Sequence, residues 1–135
     1  MTIHTLLAED IIKDISPTSE YELNRNKTKF TKLIAEQEKA LAKLEAEERN
    51  LKSMAYDVLE NPDELEKLKG QIQSKGLEIE LVRNDVLAYD DVMSFIDNTL
   101  DKIVTKKNQE QLLKYLKQKG ISTVEQLKSA LSNNN

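Results

Sequence analysis

The sequence predicts an all-α protein: a long antiparallel coiled-coil helical hairpin with a small helical head formed by the N- and C-terminal helices. Three observations predict it. Apolar residues recur at alternating spacings of three and four from Phe30 to Ile103, and a single proline-centred break, Asn61-Pro62-Asp63-Glu64, divides that run into nearly equal halves. When the halves are folded back on one another, apolar positions meet apolar positions. The length of 135 residues suits a single domain.

Residues 1–16 are expected to form an N-terminal amphipathic helix, since Ile3, Leu6, Leu7, Ile11, Ile12 and Ile15 recur at helical spacing. Ser16-Pro17-Thr18-Ser19 interrupts it, and Ser19 with Glu22 offers a capping box for the next helix. That helix, about 18 to 60, reads Phe30, Ile34, Gln37, Leu41, Leu44, Glu48, Leu51, Ala55 and Val58, seven of the nine being apolar. Pro62 lacks an amide hydrogen and disfavours helical geometry at Asn61, so the chain should turn at 60–62. Asn61 then caps a new helix, with Pro62 at its first position and Glu64 completing a capping box.

The second helix, about 62 to 104, reads Leu65, Leu68, Ile72, Lys75, Ile79, Val82, Val86, Tyr89, Met93, Ile96, Leu100 and Ile103, eleven of twelve apolar. The hairpin thus occupies 17–105, each arm spanning roughly 60 to 65 Å at 1.5 Å per residue. Pairing residues whose numbers sum to 123 brings Val58 to Leu65, Leu51 to Ile72, Leu44 to Ile79, Leu41 to Val82 and Phe30 to Met93. The same register sets Glu48 opposite Lys75, which makes them a candidate seam ion pair and register lock. Gly70 and Gly76 lie nearby, each costing about 1 kcal/mol relative to alanine inside a helix, so this part of the hairpin should be its weakest.

Residues 106–135 are expected to form a two-helix segment and a polar tail. Asn108 can cap a helix that carries Leu112, Leu113, Tyr115 and Leu116 and stops at Gly120. Ser122 and Glu125 can cap a last helix with Val124, Leu127, Ala130 and Leu131, before Ser132 to Asn135. The connecting turn departs from the spacing of DNA-binding helix-turn-helix units, because Val124 follows Gly120 by only four residues.

Composition removes several function classes. The chain has no cysteine and one histidine, His4, which leaves no disulfide framework, thiolate metal site or multi-histidine site. No calcium-loop, phosphate-loop or dinucleotide fingerprint occurs, and the serines have no histidine partner beyond His4. The expectation is a protein that is not an enzyme, with no cofactor and no small-molecule substrate. No apolar stretch approaches the roughly 20 residues needed to cross a bilayer, and Glu9 and Asp10 follow the N-terminus with no basic leader. No membrane partner and a cytoplasmic location are therefore expected, in keeping with a bacterial or phage accessory protein.

Charge is unevenly spread. Residues 101–135 carry seven lysines against Asp101, Glu110 and Glu125, a net +4, so the overall −4 leaves −8 on the first 100 residues. Lys102, Lys106, Lys107, Lys114, Lys117 and Lys119 are the candidate contacts if the head docks on DNA or RNA phosphates. Against that stand the acidic overall balance and the lack of an aromatic cluster for base stacking.

A second apolar stripe favours protein contacts instead. Leu77, Leu81, Ala88, Val92 and Phe95 fall on the side of the second hairpin helix turned away from the seam, with Leu87 close by. The N-terminal helix reaches about 20 Å, enough to cover Val92 and Phe95 but not Leu77. A second copy is the expected partner there, pairing two hairpins into a four-helix bundle as a homodimer. The function expected is protein binding in assembly or regulation, with a nucleic-acid-associated accessory factor as the alternative.

Overall fold

A computed structural model describes residues 2–133; Met1, Asn134 and Asn135 lie outside them. The fold is all-helical, with four helices and no strand among the described residues: α1 (Ile3–Ile12), α2 (Glu20–Asp57), α3 (Pro62–Gln118) and α4 (Val124–Asn133). The chain divides into two compact units, Met1–Asp97 and Asn98–Asn135.

Helix ends follow the capping residues closely. Thr2 caps α1 by accepting from the Thr5 backbone N–H, and Ser19 caps α2 by accepting from that of Glu22 at 3.2 Å. At the turn, Asn61 Oδ1 accepts from the Glu64 backbone N–H at 3.4 Å, directly ahead of Pro62. Two helices stop earlier than expected. α1 ends at Ile12 rather than near Ile15, since the Asp14 and Ile15 backbone N–H groups reach back only three residues, to Ile11 and Ile12. α2 ends at Asp57 rather than near Glu60, and Asn61 N–H closes the turn on the Val58 carbonyl at 2.9 Å.

The expected break at 105–108 is absent. α3 runs through Asn108 without interruption, so the boundary between a second arm at 105 and a fresh helix at Asn108 is corrected to one 57-residue helix. No proline or glycine lies between Gly76 and Gly120, and an asparagine inside a helix costs only a few tenths of a kcal/mol. A cap signal starts a helix only where something has ended the one before. α3 does end at Gly120, which adopts φ 75°. Ile121 N–H bonds the Leu116 carbonyl at 2.8 Å and Gly120 N–H that of Lys117 at 3.1 Å, the two bonds of a Schellman motif.

The cap of α4 shifts by one residue from the expected Ser122 and Glu125 pair. Thr123 Oγ1 accepts from the Gln126 N–H at 3.1 Å, and Gln126 Oε1 accepts from the N–H groups of Ser122 and Thr123 at 2.7 and 3.2 Å. α4 then continues through Asn133, so Ser132 begins no tail.

Within the first unit α2 and α3 run antiparallel. Lys27 Nζ lies 2.9 Å from Asp97, Gln37 donates to Asp85 at 3.1 Å, and Lys75 Nζ lies 2.7 Å from Glu47, all within one residue of the expected register. Phe30 and Tyr89 pack ring against ring with centroids 5.6 Å apart. Every residue expected in the seam is buried or half-buried.

Burial differs along the pair and between its two helices. Leu23, Val92 and Ile96 are fully enclosed and Leu68 and Ile79 of α3 are buried nearer the turn, whereas Leu41, Leu44, Leu51, Ala55 and Val58 of α2 are half-buried. Two helices alone leave their flanks open, and a third helix closes them. α1 supplies that third layer: Ala8 and Ile15 are buried, His4 Nε2 stands 3.7 Å from Asp91 Oδ2, and Ile11 and Ile15 share a recess with Phe30, Leu33 and Tyr89. Each of the three enclosed side chains contributes roughly 1.5–3 kcal/mol.

Candidate interaction surface

The candidate protein interface on α3 separates into two parts. Ala88 and Val92 are buried by the chain itself and Phe95 is half-buried, so these three do not offer a free surface; Ala88 and Val92 leave the interface set. The heptad pattern could not show this, because a stripe reads the same whether the covering helix comes from the same chain or another. Leu77, Leu81 and Leu87 remain 65%, 69% and 45% exposed. Leu77 and Leu81 continue the line of Ala88 and Val92 toward the α2–α3 turn, 14 and 10 residues before Asp91, which His4 of α1 reaches.

Polar contacts hold this stretch of α3 in place. Lys75 extends from the seam to Glu47 Oε2 at 2.7 Å and to Glu78 Oε2 at 3.5 Å, while Glu48 turns to Lys52 at 3.5 Å. The seam ion pair is therefore Lys75 with Glu47, correcting the expected Lys75 with Glu48. Glu48 instead lies alongside Gly76, where an added Cβ would stand 3.8 Å from Glu48 Oε2. A flexible lysine stem selects whichever carboxylate flanks the seam, a choice that register arithmetic on Cα positions does not make.

The hydrogen bond from Lys75 holds the Glu47 carboxyl below its ordinary value of 4.5, and Glu47 in turn raises Lys75 above 10.5. Tyr89 is pushed up first by burial and then by the Asp85 charge nearby. On the other flank Arg83 Nη2 lies 3.7 Å from Glu45 Oε1.

In the second unit Lys102, Lys106, Lys107, Lys114, Lys117 and Lys119 are all exposed on α3 or at its end. Lys119 Nζ stands 5.7 Å from the Tyr115 ring centroid, within cation–π range. Leu112, Leu113, Tyr115, Val124 and Leu131 are more than half exposed among them, a feature that periodicity alone did not single out.

Among the described residues no three His, Cys, Asp or Glu side chains converge to hold a metal ion. No helix is long and apolar enough to cross a membrane. No protein-family model, curated protein or solved structure matches the chain.

Proposed function

We propose that this protein is a non-enzymatic assembly or regulatory factor that acts through protein contacts, and that it works as a homo-oligomer. In this reading α2 and α3 form an antiparallel coiled-coil hairpin, and two hairpins pair along α3 into a four-helix bundle. The observation that carries the reading is the pair Leu77 and Leu81, 65% and 69% exposed on the same line of α3 as the buried Ala88 and Val92, beside which His4 of α1 stands 3.7 Å from Asp91. A stripe that needs a third helix at one end needs a covering helix at the other. The unmatched acidic and basic halves of the chain support a binding role, since charge placed this way steers association rather than folding.

Molecular mass in solution tests the proposal. Wild type is expected to be a dimer or larger, and Leu77→Glu with Leu81→Glu to shift it toward monomer with its helicity intact, both side chains being exposed. A wild type that is monomeric at every accessible concentration would sink the reading.

A further inference from the structure

Two other surfaces of the chain carry exposed apolar side chains among charges of opposite sign. At the α2–α3 turn, residues 57–66 hold five carboxylates and no base, and all five are exposed. Met54, Tyr56 and Leu59 are exposed beside them, and Tyr56, Leu59, Glu60 and Glu64 line one recess of about 440 Å³. Residues 102–119 of the second unit hold six lysines and one acid, with Leu112, Leu113 and Tyr115 exposed among them. No described side chain of that second unit is buried. Its apolar residues therefore remain in water until a further surface covers them.

Neither surface suits a copy of itself. Two C-terminal units face to face would set lysine against lysine, and two turns would set carboxylate against carboxylate. Each suits the other. We infer that the C-terminal unit of one copy docks on the α2–α3 turn of a second copy, with Leu112, Leu113 and Tyr115 against Met54, Tyr56 and Leu59 and the lysines against the carboxylates. Such a contact is heterologous. A docked pair keeps one free turn and one free C-terminal unit, so association proceeds head to tail into a ring or a filament. The inference shares with the proposed function only the premise that a second copy is the partner, and it uses neither Leu77 nor Leu81.

A charge swap on the full chain tests it. One variant combines Lys114→Glu, Lys117→Glu and Lys119→Glu; the other combines Asp57→Lys, Glu60→Lys and Glu66→Lys. Sedimentation velocity is expected to show wild-type mass rising with concentration at low salt, and association weakening roughly tenfold or more between about 0.02 and about 0.3 M salt. Each variant alone is expected to associate no further than the α3 dimer, because its C-terminal unit and its turn now carry charge of the same sign. Their equimolar mixture is expected to recover association, since each reversed surface finds a reversed partner. Leu77→Glu with Leu81→Glu is expected to leave the salt-dependent association unchanged, so loss of the α3 dimer and loss of this contact are read separately.

A mixture that associates no further than either variant alone overturns the inference, as does salt-dependent association beyond the dimer that ignores both charge reversals. So does a wild type that goes no further than the α3 dimer at low salt yet is retained on a duplex-DNA column through these lysines.

Discussion

Residues 1–97 enclose Leu23, Val92 and Ile96 completely, whereas in residues 98–133 no described side chain is buried and Leu116, Ile121 and Leu127 reach only half-burial. Both regions are built from the same kind of amphipathic, lysine- and leucine-rich helix, with similarly good caps at Ser19 and Thr123. The difference lies in how many helices meet. Three elements, α1, α2 and α3, converge around Leu23 and Val92, while α4 and the end of α3 are the only elements of the second unit. Propensity and capping make a helix; a third packed surface makes a core.

The largest effect that should separate the two regions is a cavity. Leu23→Ala is expected to cost about 2–5 kcal/mol in chemical denaturation, because the surrounding helices cannot collapse into the space left behind. Leu127→Ala, half in water already, is expected to cost about 1 kcal/mol or less and to leave the main unfolding transition in place. Equal losses at the two positions would mean that the second unit has a core after all.

A matched pair of glycine substitutions sharpens the comparison at an intermediate size. Gly70 sits inside α3 with nothing within 4 Å of an added Cβ, so Gly70→Ala is expected to stabilise the first unit by about 1 kcal/mol. Gly120 holds φ 75° at the Schellman turn, and Gly120→Ala is expected to destabilise by roughly 1–2 kcal/mol through the left-handed conformation alone. Circular dichroism melts of the two variants should shift in opposite directions, and a shift of the same sign in both breaks the argument.

The smallest effect concerns the ion pair of Lys75 with Glu47 in the first unit. Glu47 is held below 4.5, so its contribution is complete above that pH and is lost as pH falls through the depressed folded value. Lys75 is raised above 10.5, so its contribution is complete below that pH and is lost as pH rises through the folded value. Glu47→Gln is therefore expected to lower the melting temperature slightly between about pH 5 and pH 10, and that difference is expected to shrink as pH falls through the depressed Glu47 value. A difference that persists unchanged into acid would show that the pair acts through packing of its stems and not through charge.

Much of the fold is legible in the residues. The structure withdraws from solvent every seam position that the apolar spacing of three and four marks, and it also encloses Leu23, seven residues ahead of that run; Ser19, Asn61, Pro62 and Gly120 mark helix ends by local chemistry. Asn108 misleads because a cap signal has meaning only after a break, and none precedes it. The interaction surface is only half legible. Leu81 and Ala88 occupy equivalent places in the same stripe, one heptad apart, yet one is 69% exposed and the other buried.

What the sequence determines by itself is therefore local or periodic: helix content, the turn at Asn61-Pro62, the antiparallel register to within a residue, and the separation of charge along the chain. These follow from backbone sterics, side-chain capping and the 3.6-residue repeat, all of which act over a few positions. Tertiary structure alone decides that Val92 is buried and Leu81 exposed on one stripe, and that Lys75 takes Glu47 over Glu48. Burial depends on what stands opposite a side chain across space, and a long flexible stem settles on the partner its surroundings place within reach.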